Sequence, residues 1–379
     1  MDLILGIIIG IIVLVILVAV HELGHGIVAR RNGVVLEEFG IGFPPRAFAR
    51  KLKNGVLFSI NWLPLGGFVK LQGEHDSANK KGDYGAATYW QKTRILLAGV
   101  LVNWAVAALL LTILALVGLP KIIPNQFVVP SDSHQVSAPV ALSSVVRDYP
   151  AAQAGLKNGD TITSVNGEPI DTVDEFIALS KENRGKTVEM EYIRDDKPAT
   201  TNVALRDSTG ATFGSTLSQK QVIRATWSAP IVGVVTTGQF TWVTVQGLGN
   251  LASNFFTGLV YRLSPNADTR KEADTNLAAA GDSVAGPIGI LGTIFPAASK
   301  AGPSEVLFLA AIISLTLAVM NTLPIPALDG GRWFVMTIYK LRKKKLTKER
   351  EEKIQAIGFT SLMILILVVT IGDVTKLFK

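Results

Sequence analysis

The 379-residue sequence contains no cysteine, and only 18% of its residues are charged and 7% aromatic. The absence of cysteine excludes disulfide bonds, thiol nucleophiles and cysteine-ligated metal sites. The low charged fraction excludes a disordered chain. A hydrophobic content of 48% and a mean hydropathy of +0.36 exceed what an ordinary soluble domain carries. The composition therefore predicts a membrane protein.

The basic side chains are concentrated in two short segments. Residues 30–94 hold 11 basic and 5 acidic side chains and residues 340–353 hold 8 and 3, whereas residues 120–305 hold 15 and 18. Both basic segments adjoin apolar runs, as the positive-inside rule expects of cytoplasmic loops. The net charge of +7 therefore points to a lipid bilayer as partner, and we expect no nucleic acid.

Four apolar runs are long enough to cross a bilayer, which takes about 20 residues. They are residues 3–29, 95–119, 306–323 and 354–371. The first run lacks the basic segment and cleavage site of a signal peptide, so we expect it to be retained. Arg30 and Arg31 follow it and place the N-terminus outside the cytoplasm.

Two regions between these runs are predicted to contain β-structure. Runs rich in β-formers at residues 34–41, 46–52, 56–62 and 68–71, separated by turn signals, predict a small sheet that is apolar enough to associate with the membrane. Residues 125–207 combine strand signals with one helical pattern. Through Ala154-Gly155-Leu156 and Gly159-Asp160 this module resembles a bacterial, circularly permuted PDZ domain.

Residues 225–261 carry no charge, but threonine, glutamine, asparagine and recurring glycine interrupt their apolar pattern. We predict an amphipathic, surface-lying helical segment here rather than a fifth span.

The first apolar run contains His21-Glu22-Leu23-Gly24-His25. Residues four apart lie on one helix face, so both imidazoles can reach one ion, and Glu22 stays close enough to hold a water molecule. Two neutral imidazoles with an open position are typical of catalytic zinc, and ionisable groups inside a span are functional by default. The alternative is a pair of helix-capping or interfacial histidines.

Asp329 is the candidate for the third protein ligand that a catalytic zinc ion takes. It follows an apolar span and two prolines that stop the helix, where a carboxylate is costly unless it is paired or metal-bound. The alternative is that Asp329 caps a helix over residues 330–340. With four spans, Asp329 reaches the same cytoplasmic half of the bilayer as the histidines, whereas a fifth span would separate them.

With these residues in place, the sequence resembles the site-2 protease family of intramembrane zinc metalloproteases, in the bacterial regulator of sigma-E protease branch, over nearly the whole chain. The shared motifs are H-E-L-G-H at 21–25, Gly99-x-x-x-Asn103, the PDZ-like insert, A-G-P-I-G-I at 285–290 and N-x-x-P-x-P-x-L-D-G-G at 321–331. The resemblance implies that His21, His25 and Asp329 bind Zn²⁺ and that Glu22 is the catalytic acid and base. Some relatives carry tandem PDZ domains, whereas one is found here.

The resemblance also implies substrate-binding residues. Asn321 matches an asparagine that contacts substrate or the tetrahedral intermediate. The Gly66-Gly67-Phe68 segment resembles a membrane re-entrant hairpin that presents an edge strand to the substrate. Asn103 is a further candidate, and its alternative role is a polar contact between helices.

The predicted function is zinc-dependent hydrolysis of transmembrane segments, with single-span membrane proteins such as anti-sigma factors or remnant signal peptides as substrates. An upstream site-1-type protease is a possible partner. The PDZ-like module either binds a newly exposed C-terminus, with a carboxylate loop near residues 212–214, or excludes untrimmed proteins. The alternatives are a non-catalytic PDZ-containing membrane adaptor, which the intact motif disfavours, and a transporter or channel, which the lack of internal repeats disfavours.

We therefore predict a multi-pass α-helical protein of the bacterial cell (inner) membrane. It has four transmembrane helices, a cytoplasmic-side membrane-associated β-sheet and an extracytoplasmic PDZ-like α/β domain. The predicted segments are 1–30 (span 1 with H-E-x-x-H), 31–94 (sheet and re-entrant hairpin), 95–120 (span 2), 121–217 (PDZ-like domain), 218–305 (amphipathic or linker region), 306–340 (span 3 with L-D-G) and 341–379 (basic loop and span 4).

Overall fold

The computed structural model describes residues 2–195, 197–208, 211–282 and 284–377. Two compact units emerge from its contacts. Residues 1–113 and 233–379 form the first unit, and residues 114–232 form the second.

Four long apolar helices dominate the first unit. They are α1 (Asp2–Arg31), α2 (Tyr89–Val117), α9 (Pro303–Thr322) and α11 (Lys348–Leu377). Among the described residues, these four helices have the length and apolar composition needed to cross a membrane. The shortest has 20 residues, which at 1.5 Å per residue spans about 30 Å. The prediction of four spans is confirmed, although α2 begins at Tyr89 rather than at residue 95.

Contacts at one end of the bundle show the relative directions of α1, α9 and α11. Gly6 and Gly10, near the start of α1, pack against Pro296 and Phe295, which shortly precede the start of α9. Asp373, near the end of α11, accepts hydrogen bonds from the backbone N–H groups of Gly286 (3.2 Å) and Gly289 (2.8 Å). The starts of α1 and α9 therefore lie at the same end as the finish of α11, as four successive crossings require.

The remaining helices of this unit are α5 (Ala229–Arg262), α6 (Ala267–Asp282), α7 (Pro287–Gly289), a π-helical turn (Ile290–Ile294), α8 (Phe295–Ala301) and α10 (Asp329–Leu341).

Gly233 of α5 packs against Thr112, and Trp104 Nε1 donates to Thr241 Oγ1 at 3.2 Å. Helix α5 thus runs antiparallel beside α2. The helical part of the expectation for residues 218–305 is confirmed. Glycine and threonine residues in α5 allow this close helix packing.

Strands β1 (Leu36–Lys51) and β2 (Leu57–Leu71) bend sharply and fold into four paired segments. Residues 36–41 pair with residues 67–71 on one side and with residues 57–60 on the other, while residues 46–51 pair with residues 57–61. Among the described residues, the segment 67–71 pairs only with 36–41, so it is an edge strand. The predicted sheet is confirmed, and its register brings the edge strand beside α1.

The second unit contains two short helices and two sheets. Its elements are β3 (Leu119–Pro120), β4 (His134–Ser137), β5 (Val140–Val145), α3 (Pro150–Gln153), β6 (Thr161–Val165), β7 (Glu168–Pro169), α4 (Val173–Glu182), β8 (Thr187–Arg194), β9 (Lys197–Ala204), β10 (Ser215–Ser218) and β11 (Gln221–Arg224). One sheet has the order β10-β5-β6-β8-β9, with β7 paired to β6, and the other has the order β3-β11-β4.

The first of these sheets and α4 enclose an apolar core that includes Ile162, Met190 and Phe176. Helix α4 begins with a capping box between Thr172 and Glu175. The predicted α/β module is confirmed in its strands and helix. Strands β3 and β11, which lie just outside the predicted limits 121–217, pair with each other.

Candidate active site

Helix α1 places the two histidines of the H-E-L-G-H motif on one face. Both side chains are buried. Their Nε2 atoms lie 3.1 Å apart and their ring planes are nearly perpendicular, at 81°. The helical spacing of four residues produces this approach, as the sequence predicts.

Asp329 reaches the histidines because the chain leaves helical geometry between α9 and α10. Helix α9 ends at Thr322, Ala327 has a positive φ of 79°, and Leu328 is the extended N-cap residue of α10. Asp329 is the first residue of α10 and therefore lies inside the helix rather than at its N-cap position. Its Oδ2 atom lies 3.1 Å from His21 Nε2 and 3.2 Å from His25 Nε2. The predicted convergence is confirmed, and the capping alternative is wrong.

The three ligand atoms have the spacing of a tetrahedral metal site. Zinc bonds to histidine and carboxylate of about 2.0–2.1 Å separate neighbouring ligand atoms by about 3.3 Å. The atoms of His21, His25 and Asp329 are 3.1–3.2 Å apart. Among the described residues, these three side chains form a group that could hold a metal ion. Nitrogen and carboxylate donors in this number fit zinc with an open fourth position.

Helix α2 provides partners for the Nδ1 atoms of both imidazoles. His25 Nδ1 donates to the carbonyl oxygen of Ile95 at 2.7 Å, which leaves the Nε2 lone pair free for a metal. Asn103 Nδ2 lies 3.3 Å from His21 Nδ1. A Cβ atom on Gly99 would lie 2.7 Å from His21 Nε2. The sequence identified Gly99 and Asn103 as a motif but gave no role to Gly99. Ile95 contributes a backbone atom, which side-chain patterns cannot reveal.

Glu22 and Asp329 face a cavity of about 510 Å³ in the first unit, which is also lined by Phe68, Val69 and Arg332. Val69, in the edge strand, lines the same cavity, and its backbone N–H faces the Glu22 carboxylate. Gly67 also lies beside Glu22, because a Cβ atom there would approach Glu22 Cγ to 3.7 Å. The edge strand therefore adjoins the carboxylate that the sequence predicts to be catalytic.

The other predicted substrate-binding residues have different positions. Gly66 has φ +105° and packs against Phe43 at the turn before the edge strand. Asn321 lies half-buried in the last turn of α9 and is not among the described residues that line the cavity. Asn103 is completely buried behind His21. Contact of these residues with a substrate stays a prediction.

A charged network that the sequence did not reveal forms one wall of the cavity. Arg332 binds Glu74 Oε1 at 3.0 Å and Glu351 Oε1 at 3.2 Å, and its guanidinium lies over the Tyr84 ring. Burial raises the pKa of Tyr84, so the phenol stays neutral beside the guanidinium. The network joins α10 and α11 to the loop before α2, and its members are too far apart in the sequence to show a pattern.

Comparisons with known proteins agree on one family. The profile described as peptidase family M50 matches residues 9–365. A Clostridium perfringens protein assigned as a zinc metalloprotease is 31% identical over 94% of this chain and 95% of its own length. The regulator of sigma-W protease RasP of Bacillus subtilis is 27% identical over 96% of both chains. The PDZ domain of an SdrC-like protein of Listeria monocytogenes is 32% identical over 21% of this chain and 86% of that domain, with a TM-score of 0.19.

Proposed function

Because this chain belongs to peptidase family M50 and is an intramembrane zinc metalloprotease, we propose that His21, His25 and Asp329 hold the zinc ion. Glu22 is the catalytic acid and base in this proposal. The observation that carries the proposal is the triangle of ligand atoms, 3.1–3.2 Å on each side, beside the Glu22 cavity. Zinc held there would supply a Lewis acid for the scissile carbonyl and for water.

Glu22 performs the proton transfers in this proposal. Its carboxylate takes a proton from the attacking water and gives it to the nitrogen of the departing amine. The Val69 N–H, which faces this carboxylate in the cavity, is proposed to orient it. Because Glu22 is adjacent to His21 in the sequence, about 100° around the helix, it faces the reacting water without occupying a metal position.

The edge strand 67–71 is the proposed binding place for the substrate. A transmembrane helix hides its peptide bonds in its own hydrogen bonds, so the segment to be cleaved must unwind. An unpaired strand edge can hold an extended segment by main-chain hydrogen bonds. Gly66, Gly67 and Phe68 shape the start of this strand, and Asn321 is proposed to contact the substrate from α9.

The proposed orientation places the active site, the sheet and both basic segments on the cytoplasmic side and the PDZ-like unit outside, in the bacterial cell (inner) membrane. It is supported by the excess of basic residues in 30–94 and 340–353 and by the alternation of four spans. Single-span membrane proteins, such as anti-sigma factors or remnant signal peptides, are the proposed substrates. RasP, a related protein, is named a regulator of sigma-W protease.

The PDZ-like unit is proposed to act before cleavage. It would bind a C-terminus released by an upstream site-1-type protease, or exclude untrimmed proteins. Strand β10 lies at one edge of its sheet, directly after residues 212–214, as an acceptor for an extended C-terminus requires.

The test is Glu22→Gln in the purified full-length protein, assayed on a single-span substrate with zinc quantified in parallel. We expect zinc to be retained and cleavage to fall by about 10²–10⁴-fold, the usual contribution of a general acid and base. Undiminished cleavage would refute the role of Glu22. Absence of zinc from the wild-type protein would favour the non-catalytic adaptor.

A further inference from the structure

The side chain of Asn103 has an unusual hydrogen-bond arrangement. It is completely buried in α2. Its Nδ2 atom lies 3.3 Å from His21 Nδ1, whereas its Oδ1 atom is buried without a hydrogen-bond partner among the described residues. A buried amide oxygen without a partner costs about 1–3 kcal/mol. In this arrangement the amide nitrogen therefore has a partner, whereas the amide oxygen has none.

His21 Nδ1 needs a hydrogen-bond donor as its partner in the metal-free state and a hydrogen-bond acceptor in the metal-bound state. A neutral imidazole carries one N–H and one lone pair. Without metal, His21 Nε2–H has acceptors in Asp329 Oδ2 and His25 Nε2, both 3.1 Å away, and Nδ1 can accept from the Asn103 amide nitrogen. When Nε2 gives its lone pair to a metal, the ring proton lies on Nδ1, which must then donate. The amide nitrogen cannot accept that proton, but the amide oxygen can.

We propose that Asn103 turns its side-chain amide by half a rotation when zinc binds, so that Oδ1 accepts from His21 Nδ1–H and holds His21 in the metal-binding tautomer. This inference rests on the proposed zinc site. The rotation exchanges oxygen and nitrogen at nearly the same positions, so it provides the orphaned oxygen with a donor. Asn103 is thus a positioning residue that acts through His21.

The second histidine, His25, does not need a partner that can both donate and accept a hydrogen bond. His25 Nδ1 faces the carbonyl oxygen of Ile95, which can only accept, so Nδ1 of His25 carries a proton with or without metal. Asn103 can donate or accept, so His21 keeps a buried partner with or without metal. Asn103 is also not among the described residues that line the cavity, which favours this role over direct contact with substrate.

The backbone around Asn103 is fixed independently of its side chain. Ser314 Oγ of α9 donates to the Asn103 carbonyl oxygen at 2.9 Å, and both residues are fully buried. One turn earlier, Gly99 lies on the same helix face and gives the imidazoles room. The side-chain amide and the Ser314 contact can therefore be tested separately.

The experiment measures zinc affinity by competition with a chelator in the full-length protein, for the wild type, Asn103→Leu, Asn103→Asp and Ser314→Ala. We expect Asn103→Leu to bind zinc about 10–100-fold more weakly, the usual effect of losing such a partner. Asn103→Asp keeps an acceptor at the same place and should bind within about threefold of the wild type or more tightly. Ser314→Ala should bind within about twofold, because it removes a helix contact and leaves the imidazole partner in place.

Two results would overturn the inference: wild-type zinc affinity in Asn103→Leu, or zinc binding in Asn103→Asp that is at least about 10-fold weaker than in the wild type. The second applies even if the leucine variant fails to fold. The visible spectrum of the cobalt-substituted protein gives an independent reading, since Asn103→Asp should keep the wild-type bands. The variant His21→Ala distinguishes a failure of the proposed metal site from a failure of the role proposed for Asn103. If it keeps zinc, the proposed metal site is wrong; if it loses zinc while Asn103→Leu does not, only the role of Asn103 is wrong.

Discussion

Small residues decide how closely the helices pack around the proposed metal site. Gly24 of α1 faces α2, where an added Cβ atom would lie 2.9 Å from the carbonyl oxygen of Ala98. Gly99 of α2 faces the imidazoles in the same way. The absence of a side chain at both positions allows the two helices to pack with their backbones in contact. The histidines can therefore be supported directly by α2 backbone and side-chain groups.

Gly99→Ala should abolish zinc binding while leaving the protein inserted in the membrane. The new Cβ atom would lie 2.6 Å from His21 Cε1 and would also overlap His25 Nε2, so at least one imidazole must leave its position. Zinc content per protein, measured after purification, is the readout. Gly372→Ala in α11 is the matched control, because a Cβ atom there meets open space. A fully zinc-loaded Gly99→Ala protein would contradict the inference that Gly99 leaves room for the two imidazoles.

Asp160 makes the PDZ-like unit sensitive to acid. Burial alone would raise its pKa, but Arg194 Nε and Nη2, at 2.7 and 2.6 Å, and the Lys157 N–H outweigh burial and lower it. A carboxyl group whose pKa is lower in the folded state stabilises that state above the unfolded pKa, near 3.8. This stabilisation disappears as the pH falls through the lowered folded pKa.

Asp160→Asn should therefore destabilise this unit at neutral pH by about 2 kcal/mol, the range for hydrogen bonds to a charged group. The difference from the wild type should shrink as the pH falls below about 4. Hydrogen exchange of the β5–β9 sheet in the full-length protein measures both quantities. A difference that does not change with pH would show that the carboxylate charge is not responsible.

At the scale of elements, the edge strand and α1 depend on each other. Gly67 pairs with Ile41, and a Cβ atom at position 67 would lie 3.1 Å from the Gly40 carbonyl oxygen. Two residues further on, the Val69 N–H faces the Glu22 carboxylate in the cavity. A change in the strand would therefore move a group beside the proposed catalytic carboxylate as well as the proposed substrate edge.

Gly67→Pro should reduce cleavage of a single-span substrate by about 10²-fold, the cost of displacing a catalytic group by about 1 Å, with zinc content unchanged. Lys53→Pro is the control in the same sheet. Residue 53 follows the first residue of a turn closed by the Gly55 N–H and the Leu52 carbonyl oxygen, at 2.9 Å, where proline is favoured. Equal cleavage by both variants would show that the edge strand is not used.

At the scale of the whole molecule, the absence of cysteine allows a direct test of orientation. Single cysteines at exposed positions can be labelled with a membrane-impermeant maleimide in an otherwise unchanged protein. Glu182→Cys, in the PDZ-like unit, should react in intact cells. Lys53→Cys in the sheet and Lys345→Cys in the basic segment should react only after the membrane is opened. All three side chains are exposed. Labelling of Lys345→Cys in intact cells would reverse the proposed orientation.

The sequence alone determined the span count, the sheet, the PDZ-like module and the pair of histidines, because each depends on local features: apolar length, β-rich runs, turn residues and a four-residue helical spacing. The positive φ at Ala327, the Ile95 carbonyl behind His25 and the Arg332 network were decided only by tertiary structure. So was the placement of Asn103 behind His21 rather than in the cavity. These features involve backbone atoms, or side chains that are distant in the chain and are brought together by helix packing. No local pattern encodes them, because the distances between packed helices are set by the whole bundle.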